Sequence, residues 1–170
     1  MVDNRSSHGS YEARLPAELE SVVAARRLLA SALVTWDIDE AVRSDAALAI
    51  SELVTNSVLH AGTPVSVRVH RLGSGVRIEV GDDDPRIPVV EAARPEDLLC
   101  NRSMTGRGLA LVAATSDRWG SQPAGAGKVM WAEVGTGRRR LMAEPAPAFP
   151  PPADPPRLAA DAAVNGVVTT

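Results

Sequence analysis

Three short stretches of this chain carry residue types that can do chemistry together. The first is Ser51-Glu52-Leu53-Val54-Thr55-Asn56-Ser57. In a helix, side chains four positions apart lie on one face, about 40° apart around the axis. Glu52 and Asn56 would therefore stand side by side, bordering the apolar stripe of Ile50, Leu53, Val54 and Val58. A carboxylate and an amide oxygen in that position can hold a water and a hard cation such as Mg²⁺, which takes oxygen ligands and keeps waters of its own. A solvated helix flank has the same pattern. The second stretch is Asp82-Asp83-Asp84-Pro85-Arg86. An Asp at a strand end can accept a hydrogen bond from an exocyclic amine such as that of adenine. The run also suits a plain Asp-Pro turn or a metal, although its spacing is not that of an EF-hand loop. The third is Thr105-Gly106-Arg107-Gly108-Leu109. Glycines ahead of a helix let phosphate oxygens approach backbone N–H groups, where the helix dipole favours negative charge. No Gly-Lys-Ser/Thr follows and no strand directly precedes, so this is neither a P-loop nor a dinucleotide fingerprint.

The elements that must position these residues follow from periodicity. Leu15-Pro16-Ala17 opens a helix, with Pro in the first turn where its missing donor is harmless, and the apolar spacing carries it to about Val34. Asp37 or Asp39 caps a second helix over about 40–59, ending near Gly62. Val65, Val67 and Val69, then Val76, Ile78 and Val80, alternate with polar residues around Gly73-Ser74-Gly75, the pattern of a hairpin. Residues 81–105 lack periodicity. A short helix is expected over 108–114, then strands over 117–121 and 128–134. This order predicts an α+β two-layer sandwich, with helices on one face of a mixed, mostly antiparallel sheet.

Composition sets the outer limits. The chain has 170 residues, 45% of them hydrophobic but only 3% aromatic, so the core must be aliphatic. A net charge of -3 argues against direct nucleic-acid binding, which needs a concentrated basic face. The single cysteine, Cys100, cannot form an internal disulfide and suits a reducing compartment. No apolar run is long enough to span a membrane, and the polar start does not resemble a secretory signal; a cytoplasmic protein is expected. Seven of the thirteen prolines fall within 142–156. Proline supplies no amide donor, so 142–170 reads as a Pro/Ala-rich disordered tail, 1–13 as a disordered N-terminus and 14–141 as the working domain.

Order and spacing join the three stretches. Asp82 lies 26 residues after Asn56, and Gly106 lies 24 after Asp82. The set resembles the GHKL ATPase superfamily of gyrase, the heat-shock chaperone and histidine kinase ATP domains. Glu52 to Asn56 looks like its N box, Asp82 to Arg86 its first glycine box, and Gly106 to Leu109 its second. The two leading helices and the closing strand Gly127-Lys128-Val129-Met130-Trp131-Ala132-Glu133 look like the anti-sigma-factor serine/threonine kinases. The resemblance implies a Bergerat-type ATP-binding fold, ATP and Mg²⁺ as cofactors, and a sigma factor and an anti-sigma-factor antagonist as protein partners. It also implies a homodimer formed through the first helix or a sheet edge. Glu52 would be the catalytic base, and Asn56 would ligate Mg²⁺ and so bridge the phosphates. Asp82 would bond the adenine amine, and Arg86, Gly106, Arg107, Gly108 and Leu109 would complete the nucleotide site under a lid of residues 86–105. Asp84 and Arg86 stand where the family's box usually has glycines, and Arg86 can compensate by pairing with Asp84. A nucleotide- or partner-binding module without phosphotransfer is the alternative reading. Lys128 stands where a small hydroxyl residue is usual; it can meet a phosphate, but a surface lysine after its glycine loop is the expectation. His60 lies one further turn along the Glu52/Asn56 face, where it serves the helix dipole or approaches phosphate. The three tryptophans, Trp36, Trp119 and Trp131, are expected to pack in the core and at its edges.

Overall fold

A computed structural model describes residues 4–7, 9–87 and 104–137 of the chain, with the backbone course alone for 4–7 and 104–107. The sequence expectations for residues 88–103, Cys100 among them, and for 142–170 lie outside the described residues.

The chain runs β1 (Asn4–Ser7), β2 (Ser10–Leu15), α1 (Glu20–Thr35), α2 (Glu40–His60), β3 (Val65–Leu72), β4 (Gly75–Asp82), α3 (Met104–Thr115), β5 (Arg118–Ala124) and β6 (Gly127–Val134). The strands form one six-stranded sheet in the order β1-β2-β3-β4-β6-β5. All five pairings are antiparallel, where a partly mixed sheet was expected. The two-layer α+β sandwich read from the sequence is the architecture observed.

Two boundaries differ from the sequence reading. Residues 4–7 and 10–15 pair as antiparallel strands rather than as a disordered terminus running into a helix. Tyr11, Ala13 and Leu15 alternate toward the core, and Tyr11 pairs with Val69, Ala13 with Val67 and Leu15 with Val65. Tyr11 also meets Trp36 edge-on at 5.4 Å between ring centroids. Serines and charges on the other face mask this short strand in the sequence. The first helix accordingly begins at Glu20. The third helix starts at Met104, four residues earlier than expected, so Gly106 and Gly108 lie within its first turns.

One sheet face and the helices share an aliphatic core. Val65, Val67 and Val69 of β3, Val76, Ile78 and Val80 of β4, and Met130, Ala132 and Val134 of β6 meet Leu28, Leu29, Leu33, Ile50, Leu53, Val54 and Val112. Asp39 caps α2 by accepting the Ala41 N–H at 2.9 Å. Helix α1 ends with Asp37 at φ 52°; its N–H bonds Val34 O and that of Ile38 bonds Leu33 O, the paired bonds of a Schellman motif.

The opposite sheet face is charged. Arg77 donates to Glu79 at 2.8 Å and to Glu133 at 2.9 Å and lies over the Trp131 ring at 4.2 Å. Burial pushes the Glu79 carboxyl up, but His70 and Arg77 beside it more than offset this and hold it at about 2. Trp36 and Trp131 are buried and Trp119 is half-buried, the packing roles expected.

Candidate functional site

Helix α2 is the backbone of the site. Its apolar residues Ala46, Ala49, Ile50, Leu53, Val54 and Val58 are buried against the sheet. That fixes its rotation, and with it the half-buried flank carrying Glu52 and Asn56. Among the described residues, neither the Glu52 carboxylate nor the Asn56 amide takes part in a hydrogen bond or ion pair. His60 continues the same line to the end of the helix, about 12 Å along the axis from Glu52 at 1.5 Å per residue, and it is exposed.

The two other stretches meet the two ends of this line. At the Glu52 end stands α3. A Cβ built on Gly108 would sit 2.6 Å from Glu52 Oε2, so the carboxylate occupies space that only glycine leaves open. The first turn of α3, with Gly106 and Arg107 in it, presents N–H groups that have no partner within the helix. The side chain of Arg107 is not among those described. Leu109 is buried in the core; it pins α3 in place.

At the His60 end stands the loop that leaves β4. The Asp83 N–H bonds Thr63 Oγ1 at 3.1 Å, and Arg86 Nη2 donates to the His60 carbonyl at 3.3 Å. Three adjacent carboxylates should repel one another, and each has its own answer. Asp82 accepts the Asp84 N–H at 3.0 Å through Oδ1. Asp84 accepts both the backbone N–H and the Nε of Arg86, the pairing expected from the sequence. Those bonds hold its carboxyl down at about 2. Asp83 is exposed. Two successive Asx turns thus shape the loop where the related motif uses glycine.

The unexpected residue is Lys128. It is 2% exposed, not a surface lysine. Strand alternation puts Asp82 on the same face as Val76, Ile78 and Val80, and Lys128 on the same face as Met130, Ala132 and Val134. The register pairs the two directly across β4 and β6. Lys128 Nζ bonds Asp82 Oδ1 at 2.8 Å and the Asp84 carbonyl at 3.0 Å. The period of two was present in the sequence and pointed to this position. Gly127 makes the approach feasible, since a Cβ there would collide with the Asp82 carbonyl oxygen.

One atom of this cluster, Asp82 Oδ2, is among the buried polar atoms left without a hydrogen-bond partner among the described residues. An orphaned carboxylate oxygen is costly in a protein interior unless a donor meets it. It suits an amine of a bound base. Among the described residues no group of three His, Cys, Asp or Glu side chains could hold a metal ion; Asn56 offers one oxygen, enough for a cation carried mainly by phosphates. No helix among the described residues is long and apolar enough to cross a membrane.

The chain is 36% identical over 119 residues to the uncharacterized protein SCO4941 of Streptomyces coelicolor, an alignment covering 68% of this chain and 97% of that protein. Residues 15–133 match the histidine kinase-like ATPase domain family. That span holds Glu52, Asn56, Asp82 and α3, and the chain belongs to that family of ATP-binding domains.

Proposed function

We propose that the domain binds ATP with Mg²⁺ and phosphorylates a serine or threonine of an anti-sigma-factor antagonist, the chain itself being the kinase that also holds a sigma factor. The observation that carries this reading is the pair Glu52 and Asn56. Both are half-buried and unengaged on one flank of α2, between the first turn of α3 and the Asp82 loop. A domain that only held a nucleotide would not need a free carboxylate beside the phosphate-facing helix start.

In this reading Asp82 Oδ2 accepts the base amine, and the first-turn N–H groups of α3 face the phosphates. The Asn56 side-chain oxygen contributes to a Mg²⁺ site; the ion, when bound, neutralises phosphate charge. Glu52 takes the proton of the attacking hydroxyl as its oxygen bonds the γ-phosphorus and the bond to the bridging oxygen breaks, releasing ADP. Phosphoryl transfer is mostly positioning and charge neutralisation, so a sparse set of residues suffices. Incubating the protein with Mg²⁺, labelled ATP and candidate antagonist proteins tests the reading. Label transfer that Glu52→Ala abolishes supports it, and transfer that persists in that variant removes Glu52 as the base.

A second reading, nucleotide or partner binding without transfer, is favoured by the charged side chains Asp84, Arg86 and Lys128 around the base end of the site. A partner that binds equally well with and without ATP, and gains no label, would select it.

A further inference from the structure

We propose that Lys128 reads the nucleotide base together with Asp82, by donating to the ring nitrogen beside the amine that Asp82 accepts. The inference rests on the nucleotide-binding reading above and adds a residue to it. Asp82 Oδ1 already accepts two hydrogen bonds, from Lys128 Nζ at 2.8 Å and from the Asp84 N–H at 3.0 Å. A carboxylate oxygen has about two lone-pair sites, so Oδ1 is saturated and Oδ2 alone is left to accept. The ammonium has three N–H donors and no acceptor. Two of them go to Asp82 Oδ1 and the Asp84 carbonyl. The Asp84 carboxylate, at 3.9 Å from Nζ, is too far for a third hydrogen bond. One donor and one acceptor are therefore left over on adjacent groups, both buried and both on the helix-facing side of the sheet.

The complement of that pair is a ring acceptor next to an N–H donor. The adenine edge has this form, with N1 beside the 6-amino group. Two contacts fix a base in its plane, where one contact lets it pivot. The cross-strand pairing of Asp82 with Lys128 keeps the two groups at a fixed separation, so the selectivity is built into the sheet rather than a loop.

The test is titration calorimetry of the full chain with Mg²⁺, comparing ATP with 1-deaza-ATP, which keeps the 6-amine and lacks the N1 acceptor. Wild type should bind 1-deaza-ATP about 10- to 100-fold more weakly than ATP, the range for a hydrogen bond with one charged partner. Lys128→Met should bring that ratio near one. A merely structural role would weaken both nucleotides alike in the variant and leave the ratio unchanged. Equal affinities in wild type would overturn the proposal even if the variant failed to fold. Binding of neither nucleotide to wild type would sink the nucleotide reading itself.

Discussion

Replacing Gly108 with alanine separates the chemistry of the site from the stability of the fold. The added Cβ would stand 2.6 Å from Glu52 Oε2, and ordinary contact begins at 3.4 Å. The carboxylate must retreat by about 0.8 Å. It is the far end of a flexible side chain, so it can move without disturbing α2. A displacement of about 1 Å in a catalytic group lowers the rate by about 100-fold. The backbone, meanwhile, gains: alanine is favoured over glycine in a helix by up to about 1 kcal/mol. Gly108→Ala should therefore unfold in urea at the same or a higher midpoint while phosphotransfer from labelled ATP falls between about 10- and 100-fold. Added to Glu52→Ala, it should have no further effect, because the two changes act on one group. Full turnover in Gly108→Ala, or a loss that tracks loss of folding, would refute the argument.

Three further outcomes follow from the packing. Asp37 holds φ 52° at the end of α1, a conformation that costs most side chains about 1–2 kcal/mol and glycine very little; Asp37→Gly should raise the urea midpoint by an amount worth about 0.5–1 kcal/mol. The Glu79 carboxyl, held at about 2 in the fold against 4.5 when free, adds stability that is fully present above pH 4.5 and is lost as pH falls toward 2. Acid titration of the unfolding free energy should show a drop of up to about 3 kcal/mol over that window, and Glu79→Gln should flatten it. Removing residues 1–15 uncovers the β3 edge and the Val65, Val67 and Val69 contacts; light scattering should detect association of the shortened chain.

The three chemical stretches were legible because each uses a local rule. Spacing by four joins Glu52 to Asn56, and Gly106 and Gly108 flag the stretch that enters α3, though not its first residue. The helices and the two hairpins β3-β4 and β5-β6 were legible from periodicity. Three features were not read. The β1-β2 hairpin is short and polar on one face, so its alternation of Tyr11, Ala13 and Leu15 is faint until Val65, Val67 and Val69 are seen to accept it. The start of α3 at Met104 is hidden by Thr105 and Gly106, two weak helix formers that follow it. Residue type alone places Lys128 at the surface, since lysines are rarely buried unpaired. Its place in the period-two pattern with Met130 and Ala132 outweighed that rule, because Asp82 waits on the facing strand. A cross-strand partner 46 residues away is invisible to any local reading.

The most direct measurement is the affinity of Asp82→Asn for Mg²⁺-ATP by titration calorimetry, beside wild type. Asparagine keeps a carbonyl oxygen for Lys128 and turns an NH₂ toward the position of Oδ2, where a base amine would then face a donor. Wild type should bind ATP, and the variant, still folded by circular dichroism, should lose at least about tenfold in affinity. A folded variant that binds ATP as tightly as wild type would contradict the account.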